Sequence, residues 1–405
     1  MKASETNAPE VVVAGHVCLD IIPSFLQDTS VASSQIEPGK LKVMGPAACV
    51  TGGCVANTGL TLHQLGVRTS LMGKIGDDPF GDQILGIVKK ADASLAESMI
   101  VAPGEHSSYS IVISPPGVDR SFLHFPGAND TFSAGDVPLE QLNQCKLFHF
   151  GYPPLMKCFW NDGGSAMAGL LRSVKEKGAM TSLDMAMPDP TAPAGKIDWK
   201  PWLEQVLPHV DLFMPSLDEI LFMLDPKQYT NKTPGEVFDS DLLSKTADQL
   251  ISLGAGIVVL KLGTHGLYLK SSSAVDRISR GFYPGKNSLE AWVGRELYTP
   301  CFEVPVVSTN GAGDRTIAGF LAAVVQDASP TEALQMAVGV GATSVAASDF
   351  SEADFSWESI KRRVDAGWNH QPVENAVRED FRSDESGCWR GKQDKATVRK
   401  LTTAT

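Results

Sequence analysis

Short apolar runs recur along the chain with helical patterns between them. The first run, VVVAG at 11–15, ends in glycine and carries no polar side chain on either face. Such runs are typical of strands covered on both sides, as in parallel sheets. Further runs lie at 146–151, 180–184, 210–215 and 256–261, and helical periodicity fills segments such as 57–65, 164–177 and 244–253. This alternation predicts an α/β fold with a doubly wound, mainly parallel sheet flanked by helices.

Two segments interrupt the alternation. Residues 21–50 are rich in Ser, Pro and Gly, and residues 105–127 hold two β-type runs joined by Pro-Pro-Gly. The second segment predicts a hairpin of 110–114 with 120–125. Together they predict a small β lid at 21–50 and 105–127.

The α/β domain is then expected to comprise 8–20, 51–104 and 128–367. Residues 272–300 predict another excursion that ends in a β-type run. Beyond about residue 368 the pattern becomes polar, which predicts a C-terminal tail at 368–405. Phe381 and Trp389 give this tail two side chains able to dock on the domain.

Composition narrows the class of protein. A net charge of −12 over 405 residues argues against nucleic acid and against an anionic membrane surface as partners. The chain has no run of 18 apolar residues, and its start (MKASET) lacks the apolar stretch of a signal peptide. Seven scattered cysteines without a C-x-x-C pair fit reduced thiols. We therefore expect a cytoplasmic protein.

The strongest chemical signal lies at 306–323, where a β-type run, a glycine-rich turn and an apolar helix of small residues follow one another. Glycines let a backbone approach a ligand, and the free N–H groups of a helix N-terminus bind anions. Asp314 stands in the first turn of that helix. A carboxylate beside an anion site suits a base that accepts a proton from an attacking hydroxyl. For the isolated motif, a simple helix cap in a tight turn remains the alternative.

Two motifs carry a resemblance to a known family. TNGAGD at 309–314 resembles the C-terminal signature of the ribokinase-like (PfkB) carbohydrate kinases. TGGCVANT at 51–58, followed by LGV at 65–67 and GKIGDDPFG at 73–81, resembles the N-terminal signature. The motifs occur in the family's order, and the similarity covers roughly residues 10–365. It implies a ribokinase-like fold and transfer of the ATP γ-phosphoryl to a hydroxyl of a sugar or sugar derivative.

The resemblance also assigns roles to residues. Asp314 is implied to be the catalytic base, with the amides of the turn at the phosphoryl group: Gly311, Ala312 and Gly313. Four residues are implied to bind the acceptor: Asp20, Gly52, Gly53 and Asn57. Four residues of KLGTHG at 261–266 are implied to contact ATP: Lys261, Gly263, Thr264 and Gly266. Glu219 is implied to hold Mg²⁺ through water.

Four departures from the family pattern qualify these roles. Ser216 stands where the family usually has Asn, which alters the expected network of magnesium and water. Ser308 replaces an Asp of the monovalent-cation site, so potassium activation is not implied. Thr316 replaces a Phe. Ala186 and Pro188 stand where several acid-sugar kinases carry Asn and Arg, which disfavours a keto-deoxygluconate-type acceptor.

Three functional hypotheses remain open from the sequence. A sugar kinase is favoured; a nucleoside kinase is the second, because TNGAGD also resembles adenosine kinases. The third is a non-catalytic ligand-binding relative, suggested by Ser216 and Ser308. In this family lids often pair between subunits, so the resemblance also implies a homodimer through the lid. Arg120 in the lid and Arg315 beside the base are candidate contacts for phosphate or acceptor.

Overall fold

The computed structural model describes residues 8–26, 38–115, 120–226, 229, 239–279, 289–347, 354–373, 375–384 and 387–395. Within these residues sixteen strands are present: β1 Val11–Gly15, β2 Cys18–Pro23, β3 Ala47–Gly52, β4 Thr69–Met72, β5 Lys74–Gly76, β6 Ile100–Ala102, β7 Tyr109–Ile113, β8 Ser121–Phe125, β9 Leu147–Gly151, β10 Met180–Asp184, β11 Leu212–Phe213, β12 Ile257–Lys261, β13 Leu267–Ser271, β14 Glu296–Thr299, β15 Arg382–Ser383 and β16 Trp389–Arg390. The α-helices are Cys54–Gln64, Pro79–Ala91, Lys157–Trp160, Ser165–Glu176, Trp199–Val206, Leu217–Leu224, Ser240–Ser252, Val275–Ser279, Ala312–Val325, Pro330–Ala346, Trp357–Asp365 and Asn375–Asp380. Of the helices so described, none combines the length and the apolar character needed to cross a membrane.

The main sheet has ten strands in the order β15-β16-β14-β13-β12-β11-β10-β9-β1-β4. The six strands from β12 to β4 run parallel, and the four from β13 to β15 pair antiparallel. The predicted doubly wound, mainly parallel α/β fold is therefore confirmed. The run at 210–215 forms only the short strand Leu212–Phe213, where Pro215 has no backbone N–H to continue the ladder.

Helices cover both faces of the main sheet, which explains the uniformly apolar strands. Val11 and Val13 point into one core with helices Cys54–Gln64, Ala312–Val325 and Pro330–Ala346. Val12 and Ala14 point into the other core, with the helices between residues 165 and 252. Because successive side chains of a strand alternate between faces, every position of β1 meets a core.

A second, four-stranded sheet, in the order β3-β2-β7-β8, lies in the region predicted as the lid. β7 and β8 form the predicted antiparallel hairpin, with Ile111 opposite Leu123. β2 begins at Cys18 and β3 ends at Gly52, so these two strands extend beyond the predicted segment 21–50. Residues 27–37 and 116–119 of the predicted lid and its turn lie outside the described residues.

The β-type run before the glycine-rich turn is not a strand, and this prediction was wrong. Val306 and Val307 are exposed. The N–H groups of Val307 and Ser308 both donate to the carbonyl oxygen of Val345. The segment is therefore anchored to the end of helix Pro330–Ala346. The β-type run predicted at the end of 272–300 is β14; residues 280–288 lie outside the described part.

The segment predicted as a polar tail extends the main sheet over part of its length. β16 pairs with β14, and β15 with β16. Phe381 is 4% exposed, and its ring packs edge-on against Tyr268 and Tyr298. Residues 396–405 of the predicted tail lie outside the described residues.

Candidate active site

Polar side chains collect at the carboxyl ends of the parallel strands. In a doubly wound sheet this edge, near the point where the strand order reverses, forms the ligand crevice. Here the chain runs from β1 outward to β4 and then returns to the other side of β1 at β9. Four chemically capable residues end or directly follow these strands: His16 after β1, Tyr152 after β9, Asp184 in β10 and Lys261 in β12.

Asp314 lies in the first turn of helix Ala312–Val325 and is 3% exposed. The Asn57 side-chain amide donates to its Oδ2 at 2.9 Å, and the Tyr152 hydroxyl donates to its Oδ1 at 2.8 Å. The Thr58 hydroxyl donates to its backbone carbonyl at 3.3 Å. The N-terminal ends of two helices thus meet at this carboxylate.

Gly311 precedes the helix in a left-handed conformation with φ 67°, which glycine adopts without steric cost. A Cβ at this position would lie 2.5 Å from Nη1 of Arg315 and 3.1 Å from the Asn57 side chain. Arg315 donates from Nη1 to the carbonyl oxygen of Asn310 at 2.7 Å, and burial lowers the pKa of Arg315 to about 10. Arg315 therefore braces the glycine-rich turn from inside.

The predicted acceptor residues Asp20, Gly52 and Gly53 lie on the lid side of the crevice. Asp20 is 6% exposed, and burial raises its pKa. A Cβ on Gly52 would lie 2.5 Å from the Asp20 carboxylate. Gly53 has φ 84°, and a Cβ there would lie 2.5 Å from the carbonyl oxygen of His16. Asn57, the fourth predicted acceptor residue, lies beside the base and donates from its amide to Asp314.

The lid reaches the glycine-rich turn directly. Arg120 donates from Nη1 to Oδ1 of Asn310 at 3.3 Å. The Nε2 atoms of His16 and His124 lie 3.4 Å apart, and Nδ1 of His124 lies 3.0 Å from Oγ of Ser110. Burial lowers the pKa of His124 to about 4 and that of His16 well below 6.5. The neighbouring His124 ring lowers the pKa of His16 further, because two adjacent positive charges would repel each other. Neutral imidazoles therefore line the lid side.

A buried ion pair lies beside Asp314. Nζ of Lys261 is 2.6 Å from Oδ1 of Asp184, which is 0% exposed. Burial raises the pKa of Asp184 well above its usual value, and Lys261 counteracts this effect. Burial by itself would lower the pKa of Lys261, but Asp184, Glu219 and Asp314 raise it. Lys261 is thus a cation held among three carboxylates.

The four predicted nucleotide residues separate into two groups. Lys261 points into the crevice, whereas Gly263, Thr264 and Gly266 form the turn after β12. Thr264 is exposed, and the glycines have φ 58° and 101°. A Cβ on Gly266 would lie 2.1 Å from the carbonyl oxygen of Thr299, so this turn needs glycine where it meets β14.

Glu219 is held by its own helix. Oε2 of Glu219 accepts the backbone N–H of Ser216 at 2.7 Å, and Oγ of Ser216 accepts the backbone N–H of Glu219 at 3.2 Å. Burial raises the pKa of Glu219, and Lys261 opposes that effect. Ser216, a departure from the family pattern, therefore acts as a helix N-cap. At Ser308, the hydroxyl accepts the backbone N–H of Asn310 at 3.3 Å.

The carboxylates of Asp184 and Glu219 fit the ligand chemistry of a Mg²⁺ site. Oδ2 of Asp184 is buried and has no hydrogen-bond partner among the described residues, and the Glu219 carboxylate is near enough to perturb Asp184. The described part of the chain holds no group of three His, Cys, Asp or Glu residues arranged as metal ligands. Mg²⁺ commonly keeps several waters and uses one or two carboxylates with substrate phosphates, so this sparse set suits it.

Sequence reasoning missed Tyr152, Asp184 as a partner of Lys261, and the His16–His124 pair. Tyr152 and His16 each follow an apolar strand run, and Asp184 ends one. A polar residue at that position was a usable signal, because carboxyl ends of parallel strands share one edge. Their mutual distances were not readable from the sequence.

The profile of the pfkB family carbohydrate kinases matches residues 10–354. Probable fructokinase-4 of Arabidopsis thaliana is 24% identical over 334 residues, which cover 82% of this chain and 87% of the relative. An uncharacterized sugar kinase of Archaeoglobus fulgidus is 26% identical over 260 residues, covering 64% and 84% of the two chains.

Solved structures are similar in fold. An Arabidopsis thaliana ribokinase complexed with ribose and ATP aligns with a TM-score of 0.65 at 19% identity, covering 88% of this chain and 98% of the other. A Methanocaldococcus jannaschii nucleoside kinase aligns with a TM-score of 0.60 at 16% identity, covering 89% and 99%.

Proposed function

Because this chain belongs to the pfkB family of carbohydrate kinases, we propose that it transfers the γ-phosphoryl group of ATP to a hydroxyl of a sugar or sugar derivative. The observation that carries the proposal is the buried Asp314 carboxylate at a helix N-terminus, oriented by Asn57 and Tyr152. Fructokinases among the relatives and a ribokinase solved with ribose and ATP support it.

Asp314 accepts the proton of the attacking hydroxyl. The backbone amides of Gly311, Ala312 and Gly313 lie at the start of helix Ala312–Val325, at the positive end of its dipole. The negative charge of the transferring phosphoryl group is favourable there. Lys261, the buried cation nearby, adds positive charge in a region of low dielectric. Catalysis in this scheme is positioning and charge stabilisation.

Glu219 and Asp184 would hold Mg²⁺, in part through water. The ion would neutralise charge on the phosphates of ATP. The exposed turn of Gly263, Thr264 and Gly266 would bind the nucleotide, with Thr264 available to phosphate.

The acceptor would lie between the lid and the glycine-rich turn. Asp20 would accept hydrogen bonds from its hydroxyl groups, and Gly52 and Gly53 leave room for it beside that carboxylate. Asn57 would serve the acceptor by orienting the base. The lid, already linked to Asn310 through Arg120, would exclude water from the reacting groups.

Two further features belong to the proposal. Phe122, Leu123 and Phe125 of β8 are 51%, 58% and 39% exposed, which favours pairing of two lids in a homodimer; light scattering on the purified protein measures this mass. The free cysteines favour a reducing compartment such as the cytoplasm, which imaging of a tagged chain tests.

The test is turnover with Mg-ATP on a panel of ketoses, aldoses, sugar acids and nucleosides, for the wild type and Asp314→Asn. The variant keeps the shape but removes the proton acceptor, so we expect kcat to fall by about 10²-fold or more, the scale of a general base. Affinity for ATP should change little. Near-normal turnover of Asp314→Asn removes this residue from the mechanism, and tight sugar binding without any turnover favours a binding protein.

A further inference from the structure

Tyr152 is a site residue that neither sequence motif contains. It follows β9 directly, 162 positions before Asp314 in the chain, and its hydroxyl donates to Oδ1 of Asp314 at 2.8 Å. Its ring lies 5.9 Å from that of His16, centroid to centroid. These contacts place a hydroxyl donor against the base from the strand side of the crevice.

The backbone of Tyr152 is in an unusual conformation. Its φ of 67° and ψ of 41° lie in the left-handed region, which a bulky residue rarely adopts. Its N–H donates to the carbonyl oxygen of Asp184 at 3.3 Å, and Pro153 follows it. Strain of this kind persists where the surrounding structure enforces it and is frequent at functional sites.

The Tyr152 hydroxyl acts as a donor at neutral pH. Burial raises the pKa of Tyr152 well above 10, and the nearby carboxylates of Asp314 and Asp184 raise it further. An ionised carboxylate offers about four lone-pair positions on two oxygens. Tyr152 occupies a position on Oδ1 and Asn57 one on Oδ2. Positions remain for the proton of an acceptor hydroxyl, in a plane that these two donors fix.

We propose that Tyr152 is a positioning residue for phosphoryl transfer, whose hydroxyl holds the Asp314 carboxylate in the orientation that accepts the proton of the acceptor. The inference rests on the proposed function.

The kinetic test is Tyr152→Phe, which removes the hydroxyl and keeps the ring and the backbone demands. We expect kcat to fall about 10- to 100-fold, the range for losing a hydrogen bond to a charged group. KM values for ATP and acceptor should stay within about threefold, because in this proposal the Tyr152 hydroxyl acts on Asp314 and not on either substrate.

Tyr268→Phe is the matched control. The Tyr268 hydroxyl also donates to a carboxylate, Oε1 of Glu296, at 2.9 Å, but in the antiparallel part of the sheet. This variant should keep the wild-type kcat and KM values. Equal kinetic behaviour of Tyr152→Phe and Tyr268→Phe, with an active wild type, overturns the positioning role.

A second measurement does not depend on activity. Urea unfolding of Tyr152→Phe, Asp314→Ala and the double variant forms a double-mutant cycle. We expect the two single effects to be non-additive, because each change removes the same hydrogen bond. Additive effects overturn the contact itself. Absence of turnover by the wild type on the whole panel would instead overturn the proposed function, and the cycle would still decide whether Tyr152 holds Asp314.

Discussion

At the scale of residues, the environment of one carboxylate defines the candidate chemistry. Asp314 is almost fully buried yet receives side-chain donors from two distant segments of the chain. Buried carboxylates need such partners, because an uncompensated charge in the interior is costly. Asn57 is therefore engaged by the base, whereas Asp20 lies on strand β2, accepts a hydrogen bond from Sγ of Cys18 at 3.3 Å and is proposed to bind the acceptor. The two predicted acceptor residues should have separable effects.

Asp20→Ala and Asn57→Ala should affect different kinetic constants. Asp20→Ala should raise KM for the acceptor about 10- to 150-fold, as expected for hydroxyl contacts to a charged group worth ~1.5–3 kcal/mol, with KM for ATP unchanged. Asn57→Ala should mainly lower kcat, because it frees one oxygen of Asp314. Steady-state kinetics with both substrates varied measures the split. A rise in KM for ATP equal to that for acceptor in Asp20→Ala would assign Asp20 to the scaffold.

At the scale of elements, strand ends and helix starts converge on one edge of the sheet. β9, β10 and β12 lead to Tyr152, Asp184 and Lys261, and the first turns of helices Cys54–Gln64 and Ala312–Val325 meet through Asn57 and Asp314. At the far edge, the C-terminal segment adds β16 and β15 beyond β14. The sheet therefore ends in β15, an exposed edge strand of only two residues, and very short edge strands disfavour pairing with other chains. The segment also carries a buried anchor.

The anchor predicts a large stability effect. Oδ2 of Asp394 accepts hydrogen bonds from Nε of Arg295 at 2.8 Å and from the backbone N–H of Glu296 at 3.0 Å. Asp394 itself is 0% exposed. Asp394→Ala leaves Arg295 as a buried charge without this carboxylate, so the free energy of unfolding should fall by about 3–5 kcal/mol. Asp365→Ala, which breaks an exposed pair with Lys361, should cost under about 1 kcal/mol. Urea titrations compare them, and equal losses would contradict the anchoring role.

At the scale of the whole molecule, folding encloses neutral histidines in both the main sheet and the lid. Nδ1 of His149 lies 2.9 Å from Oγ of Ser182, and burial, with the charge of Lys261, lowers the pKa of His149 to about 3. His16 and His124 are also shifted downward, chiefly by burial. In mildly acidic solution the folded protein therefore binds fewer protons at these histidines than the unfolded chain does.

This linkage gives stability a defined pH dependence. An unfolded histidine takes up a proton below about pH 6.5, whereas folded His149 does not until about pH 3. The contribution of His149 to the free energy of unfolding is therefore complete above about pH 6.5. Between about pH 6.5 and pH 3 it decreases by about 1.4 kcal/mol for each unit by which the pH is lowered. His149→Gln should flatten the decline between pH 6.5 and 4, and His106→Gln, whose imidazole is 80% exposed, should not. Parallel curves for the wild type and His149→Gln would refute this.

The sequence by itself determined the features that depend on neighbouring residues. Apolar runs marked the parallel strands because both faces of that sheet are covered. The glycines of TNGAGD marked the turn before a helix N-terminus, and they fixed Asp314 in its first turn. These are local consequences of backbone geometry. The same local reasoning wrongly predicted a β-type run at 306–308. Its valines are apolar, but the sequence does not show that they are exposed or that this segment is anchored to Val345.

Only the tertiary structure decided which of these residues meet. The partners of Asp314 come from segments around residues 57 and 152, and Lys261 turns from its own glycine loop to Asp184, 77 positions earlier. Periodicity carries no information on such distances, because they depend on how the strands are ordered and on which side chains the helices bring together. The polar C-terminal segment is part of the sheet for the same reason. Its strand β16 pairs with β14, and the hydrogen bonds of the buried Asp394 to Arg295 and Glu296 stabilise this pairing.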